Sequence, residues 1–422
     1  MKKINCKPTE TEIFIWNILG SLSNSLLSMI TLMLVTRMLD SGKTDIFSIG
    51  WSISQLMATI GTFQIRTYQA TDVNETFKFG QYLIFRIITS AGMIVCSVGY
   101  IFIKHYDTYK GTIILIICLF RVVDSLADVY EGYFQQKERL DLAGKAVTYR
   151  IVVAVVGFFI SLFFIRNLFI SCMILLGSYV ICFFGYDVRY SIKVDQFNVK
   201  EPWKKKENWI WKLVKEGTPI FVNAFLMMAI TNAPKMKIDL GISVGQLNDG
   251  AQTIFNILFM PASVLTLAYI VFRPLLTKMA IAWANREKNK FLKIIIMMLV
   301  CLLAMAIVLV IGSALIGIPV LTFLYAVPLE EYRTELLVMI VGGCFCTFSY
   351  VLDNALIVIR KQHLLVCSYV LSWIYIETTV SFFVDKWKLM GAAMAYASSM
   401  MVFFGVTLFI FFICLKKESS NE

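Results

Sequence analysis

Residues 191–217, SIKVDQFNVKEPWKKKENWIWKLVKEG, form the one long polar stretch of this chain, and six apolar runs lie on each side of it. The stretch carries Lys193, Lys200, Lys204, Lys205, Lys206, Lys212 and Lys215. It has too few turn residues and too little core material to make a domain, so it marks a seam between two halves. Two readings are open for it. Trp203, Ile210, Leu213 and Val214 share one helix face, which suits a helix lying in a membrane interface with its lysines toward lipid phosphates. The plainer reading is a solvated linker held in the cytoplasm by its charge.

Outward from the seam, the composition excludes a water-soluble globule. Of the 422 residues, 58% are hydrophobic and 16% charged, against about 45–50% and about 25% in soluble chains. The apolar runs are mostly long enough to cross about 30 Å of hydrocarbon as helices, and they lack the alternation of a membrane barrel. The expectation is an all-α polytopic membrane protein of about twelve spans in two six-helix lobes. The spans are predicted at 12–38, 46–65, 77–103, 111–135, 142–165 and 168–190, then 217–234, 250–275, 291–315, 333–359, 364–384 and 389–415. This divides the chain into an N-lobe over 1–190, a basic linker over 191–216, a C-lobe over 217–415 and a tail over 416–422. The longest external loop is expected over about 316–332, too short for an external catalytic domain.

The net charge of +11 follows the topology. With both termini in the cytoplasm, most of the 39 lysines and arginines fall on the cytoplasmic side, the bias that orients membrane helices. That accounts for the basicity without nucleic acid as a partner. The ten cysteines lie mostly within apolar runs, lack ligand spacing and read as packing residues. A basic start with no short apolar core and cleavage site leads us to expect the first span to be retained.

Two spans carry polar residues at helical spacing. Ser21, Asn24, Ser28 and Thr31 share a face of the first span, suited to close helix packing or to a wet cavity. Arg37 follows near its outer end, where snorkelling to headgroups is the plain account. In the fourth span Arg121, Asp124, Asp128 and Glu131 share a face. Charges inside a bilayer are costly and face a bundle interior or water. At 1.5 Å per residue, Asp128 lies about 10 Å, and Arg86 and Arg150 about 12 Å, from the cytoplasmic end. Arg86 and Arg150 can therefore reach Asp128 and Glu131, and Arg121 can pair with Asp124. Structural ion pairing is the first reading and an ion or proton relay the second. Asp353 and Glu377 are the notable acids of the later spans, either hydrogen-bonded between helices or part of a coupling-ion site. Aligning Asp128 with Asp353 sets Gln135-Gln136-Lys137-Glu138 opposite Arg360-Lys361-Gln362-His363, an echo that fits a parallel repeat about an axis along the membrane normal. Pro219 and Pro261 remove backbone donors and favour bends.

Several of these stretches resemble one family. They are the turn Thr36-Arg-Met-Leu-Asp-Ser-Gly42, the segment Gln64-Ile-Arg-Thr-Tyr-Gln-Ala-Thr-Asp72, Tyr82-Leu-Ile-Phe-Arg86 and the loop Phe134-Gln-Gln-Lys-Glu-Arg-Leu-Asp141. The most specific are Asn232-Ala-Pro-Lys-Met-Lys-Ile-Asp239, Gly250-Ala-Gln-Thr-Ile-Phe-Asn-Ile-Leu-Phe-Met-Pro261 and Phe272-Arg-Pro-Leu275. In order and spacing they are similar to the polysaccharide and lipid-linked oligosaccharide flippases of Gram-positive type, within the multidrug/oligosaccharidyl-lipid/polysaccharide (MOP) exporter superfamily. Asp40 departs from that family's pattern, which usually has glycine there. The resemblance implies a V-shaped pair of six-helix lobes in the bacterial plasma membrane, with a central cavity lined by spans one, two, seven and eight. The implied cargo is an undecaprenyl-diphosphate-linked oligosaccharide, flipped to the outer leaflet by alternating access. The implied partners are membrane lipids and polysaccharide assembly proteins.

A pyrophosphate calls for cations in a cavity, since guanidinium forks bind phosphate oxygens well. The candidates are Arg37, Arg66, Lys235, Lys237 and Arg273, with Ser21, Asn24, Ser28, Gln252 and Asn256 as polar wall. No cofactor or metal is expected; Na+ or H+ is the candidate coupling ion. The alternative is an ion-coupled exporter of organic cations on the same architecture, using Asp124, Asp128, Asp353 and Glu377. An enzyme is disfavoured. His105 and His363 fall on opposite sides, and no phosphate-binding Gly-Lys loop is present.

Overall fold

The computed structural model describes residues 8–72, 76–194 and 208–420, and among them there is no strand. Local chemistry sets the helix starts. Thr9 caps α1 (Glu10–Met38) by accepting from the Glu12 N–H at 3.2 Å, with Glu10 and Glu12 in its first turn and Arg37 in its last. Charges so placed suit the helix dipole. Asp40 caps α2 (Ser41–Thr62), accepting from the Lys43 N–H at 2.9 Å. That gives Asp40 a local structural role. Phe63 and Gln64 then stand in the left-handed region, at φ 43° and 50°, and break α2 from the short α3 (Ile65–Thr71).

The chain continues through α4 (Phe79–Ile103), α5 (Thr108–Gln136), α6 (Leu140–Ile165) and α7 (Leu168–Cys182), a π turn over Phe183–Val188, and α8 (Arg189–Val194). After the seam come α9 (Trp209–Ser243), α10 (Ala251–Phe259), a 3₁₀ turn at Pro261–Ser263, α11 (Val264–Ala268), a second 3₁₀ turn over Tyr269–Phe272 and α12 (Arg273–Ala284). The last elements are α13 (Lys288–Gly312), a π turn over Ser313–Gly317, α14 (Ile318–Tyr325), α15 (Arg333–Val358) and α16 (Leu365–Ser420). Within α16, Trp387 and Lys388 leave helical geometry, between the two spans expected at 364–384 and 389–415.

Among the described residues eight helices are long and apolar enough to cross a membrane. One of them, the continuous stretch Gln362–Lys417, holds two expected spans. This is an all-helical, multi-pass membrane protein. Three expectations need correction. The outer loop expected over 316–332 is helical as far as Tyr325, because the π turn at Ser313–Gly317 carries α13 on into α14. Pro219 does not interrupt its span: α9 runs as one helix through both Pro219 and Pro234. Pro261, by contrast, coincides with a change of helix type.

The third correction concerns the seam. Trp203 and most of its lysines lie outside the described residues. Trp209 and Leu213 are buried in a core with Ile65, Tyr82, Tyr130, Phe134 and Phe183, and Ile210 and Val214 pack against it. These side chains belong to the first half's interior, where burying their apolar area from water or headgroups is favourable. The chain accordingly divides into two compact units, Met1–Phe225 and Leu226–Glu422, inside α9.

In the first unit α1 packs closely on α6. A Cβ at Gly144 would overlap the Trp16 carbonyl, and one at Gly20 would sit 3.1 Å from the Gly144 Cα. In the second unit a Cβ at Gly343 of α15 would overlap the Ala262 carbonyl. Small residues allow such backbone approach in membranes.

Candidate functional site

The charged face of α5 organises the first unit. Asp128 accepts from Arg86 at 2.7 Å and from Arg66 at 3.0 Å; Glu131 accepts from Arg66 at 2.7 Å and from Arg150 at 2.8 Å. Arg150 also donates to Asp187 at 2.7 Å. One turn deeper, Arg121 donates to Asp124 at 3.2 Å, and Asp124 takes a second bond from the Tyr179 hydroxyl at 2.7 Å. The Arg121 guanidinium lies 4.7 Å from the centre of the Trp51 ring. Four arginines thus face four carboxylates. Arg86 and Arg150 are 0% and 1% exposed, and such charges persist only when paired and hydrogen-bonded.

Backbone and network are joined at the α2–α3 break. The Gly61 carbonyl accepts from Arg86 at 3.1 Å and from the Thr89 hydroxyl at 2.7 Å. The helix break frees backbone groups that need such partners. Phe63 stacks on Phe221 of α9 at 4.5 Å.

In the second unit Asn232, Lys235 and Asp239 recur at helical spacing on α9 and are all buried, at 1%, 5% and 5% exposure. The Lys235 ammonium lies 4.5 Å from the centre of the Phe259 ring on α10. Among the described residues no carboxylate pairs with it and no acceptor hydrogen-bonds to it. The Asn232 side chain donates to the Met228 carbonyl at 2.9 Å, and its own oxygen is unpartnered. Gln252 is fully buried with neither amide atom bonded, and Asn256 is buried one turn on. Elsewhere in the unit, Asp353 of α15 is buried, accepts from the Tyr369 hydroxyl at 2.8 Å, and has its other oxygen unpartnered.

The other candidates are dispersed. Lys237 pairs with Asp385 at 3.1 Å. Ser21, Asn24 and Arg37 are exposed on α1 and Ser28 is half-buried, whereas Thr31 turns back on the Leu27 carbonyl at 2.7 Å. Glu377 is exposed on its unit and makes no ion pair with a described residue. The side chain of Arg273 lies outside the described residues. The structure gathers Arg66 with Arg86, Asp128, Glu131 and Arg150, a grouping that sequence spacing does not propose for Arg66. Asp187 and Tyr179 were missed as well. Asp187 stands near the end of its span and reads as a boundary charge, and nothing in the local pattern of Tyr179 marks its hydroxyl. Among the described residues no group of three or more His, Cys, Asp or Glu side chains could hold a metal ion.

No protein-family model matches the chain, and no curated protein matches it in sequence. Solved structures do. An inward-facing multidrug resistance MATE family transporter of the MOP superfamily aligns at TM-score 0.71 and 12% identity, over 93% of this chain and 96% of that one. The lipid II flippase MurJ, in an inward closed conformation, aligns at 0.67 and 13%, over 94% and 87%. A MOP superfamily transporter from Pyrococcus furiosus aligns at 0.62 and 12%, over 97% and 95%. Nearly the whole chain therefore shares the fold of these solved structures.

Proposed function

We propose that this protein is a flippase of the bacterial cell membrane that moves a polyprenyl-diphosphate-linked oligosaccharide to the outer leaflet by alternating access. The observation that carries this reading is Lys235. It is a buried cation with no counter-anion among the described residues, one helical turn from the unpartnered side-chain oxygen of Asn232. A buried ammonium is costly unless an anion or acceptor joins it, and a cargo phosphate meets that need. The neighbouring fold of a lipid II flippase supports the same class of cargo. Arg66 and Arg37 remain candidate contacts for the phosphates, and polysaccharide assembly proteins candidate partners.

The sidedness of lipid-linked glycan tests the reading. In cells lacking the protein and any redundant flippase, an external glycan-modifying probe should react only after lysis. Restoring the chain should restore external reactivity, and restoring it with Lys235→Gln should not, at equal protein abundance. Full external reactivity without the protein would remove the function.

A second reading has its own observation. Asp353 is a buried acid with one oxygen unpartnered and no cation paired with it among the described residues, which suits a coupling ion or an organic cation in an exporter like the MATE neighbour. Increased drug sensitivity of the deletion strain, with glycan sidedness unchanged, would select it.

A further inference from the structure

At the end of the second unit where α9 turns into α10, the α9–α10 turn, the start of α15 and the break in α16 line an open pocket of about 310 Å3. Its polar and aromatic lining is Asn248, Asp249, Tyr332, Glu335, Trp387 and Lys388. The volume lies in the range of small-molecule sites, about 300–1,000 Å3. We infer that this pocket binds a saccharide.

The composition of the lining selects that class. The side chains of Asp249, Glu335 and Lys388 make no ion pair or hydrogen bond with a described residue. Two free carboxylates beside a free ammonium and an amide fit neither a purely anionic nor a purely cationic ligand. They do fit a neutral or mixed rim of hydroxyls, each able to donate to a carboxylate and accept from an ammonium. Trp387 and Tyr332 add flat apolar surfaces for the C–H face of a pyranose ring. Trp387 is 39% exposed and its ring is fixed by neighbours: it stands edge-on to Phe382 at 5.8 Å, lies 5.7 Å from Phe383, and takes the Lys386 ammonium at 4.6 Å.

The backbone adds a second, independent mark. Lys388 stands at φ 51°, ψ −126°, a conformation that favours glycine and costs a side-chain-bearing residue free energy. Strain of this kind clusters at ligand sites. The chain places a lysine here, and that lysine lines the cavity. With both termini in the cytoplasm this end of the unit faces outward, so that on the flippase reading the glycan of the delivered cargo is its natural occupant. Saccharide binding itself does not need that reading to hold.

The test is saturation-transfer NMR on the full chain in nanodiscs, with glucose, galactose, N-acetylglucosamine and glucuronic acid as free probes. A short-chain polyprenyl-phosphate-linked N-acetylglucosamine is the lipid-linked probe. At least one probe should bind saturably, and competition between the free and lipid-linked forms identifies the source. Trp387→Ala and Glu335→Gln should each weaken binding about tenfold without lowering Tm. Lys388→Gly separates binding from folding: it should raise Tm by relieving the strain and still weaken binding. Absence of saturable binding by every probe, or binding unchanged in all three variants, would overturn the proposal. Saccharide binding in a protein whose deletion leaves glycan sidedness unchanged would keep the pocket and remove the flippase.

Discussion

At the scale of single residues, the protein is governed by the requirement that buried charges be matched. Asp128 serves two arginines, one of them fully buried, so its removal strands charge rather than a single bond. Asp128→Asn should cost about 3–5 kcal/mol, as expected when one partner of a buried pair is lost. Thermal unfolding in detergent reads this directly, and combining it with Arg86→Met should recover much of the loss. An undiminished Tm in the single variant would show that the network is not structural. Asp72 shows the same principle outside the membrane. Burial by itself would raise its pKa, but the N–H groups of Phe77 and Thr76 and the Tyr82 hydroxyl outweigh that and lower it. A carboxyl with a depressed folded pKa adds stability above its unfolded pKa, about 3.9, and loses it as pH falls through the lower folded value. Asp72→Asn should therefore destabilise by about 1–3 kcal/mol at neutral pH, with the difference from wild type shrinking in acid below about pH 4. An equal difference at every pH would assign the effect to shape and not to charge.

At the scale of elements, packing depends on what is missing from side chains. The α1–α6 contact exists because Gly20 and Gly144 let two backbones approach, and nothing flexible stands in the way to yield. Gly144→Val should cost about 1–3 kcal/mol or more through overpacking and separate α1 from α6, read as lost expression or faster proteolysis. Wild-type stability would mean that the helices can slide apart freely. The α2–α3 break shows what local sequence hides. Phe63 and Gln64 are not residues that announce a left-handed turn, since Gly or Asn is usual there. The conformation is held by contacts from afar: Arg86 and Thr89 on the Gly61 carbonyl, and Phe221 on the Phe63 ring. Pro219 errs in the opposite direction. It announces a bend, yet α9 passes through it, as membrane helices allow when neighbouring groups take over the freed carbonyl.

At the scale of the whole molecule, two units of comparable size share one connecting helix, and the division falls within it rather than in the polar seam. The topology remains a prediction of charge bias, with a direct check. Tags fused at Met1 and at Glu422 should both be protected in intact spheroplasts and both be cleaved after permeabilisation. Protection of only one would require an odd number of spans.

The sequence by itself determined the class of molecule, because hydrophobic length and charge bias are properties of the chain that hold whatever its neighbours are. It also placed most of the long apolar helices and the shared face of Arg121, Asp124, Asp128 and Glu131, since helical spacing fixes which side chains lie together. Only the tertiary structure decided who pairs with whom. Arg66 and Asp187 joined that face from other helices, Trp209 and Leu213 sank into a core rather than a membrane interface, and Lys235 was left without an anion among the described residues while Lys237, two residues on, found Asp385. A local pattern carries direction and depth along one helix, whereas partnership is set by which helices pack side by side. Trp387, Glu335 and Asp249 meet at one pocket for that reason, though the sequence holds them far apart.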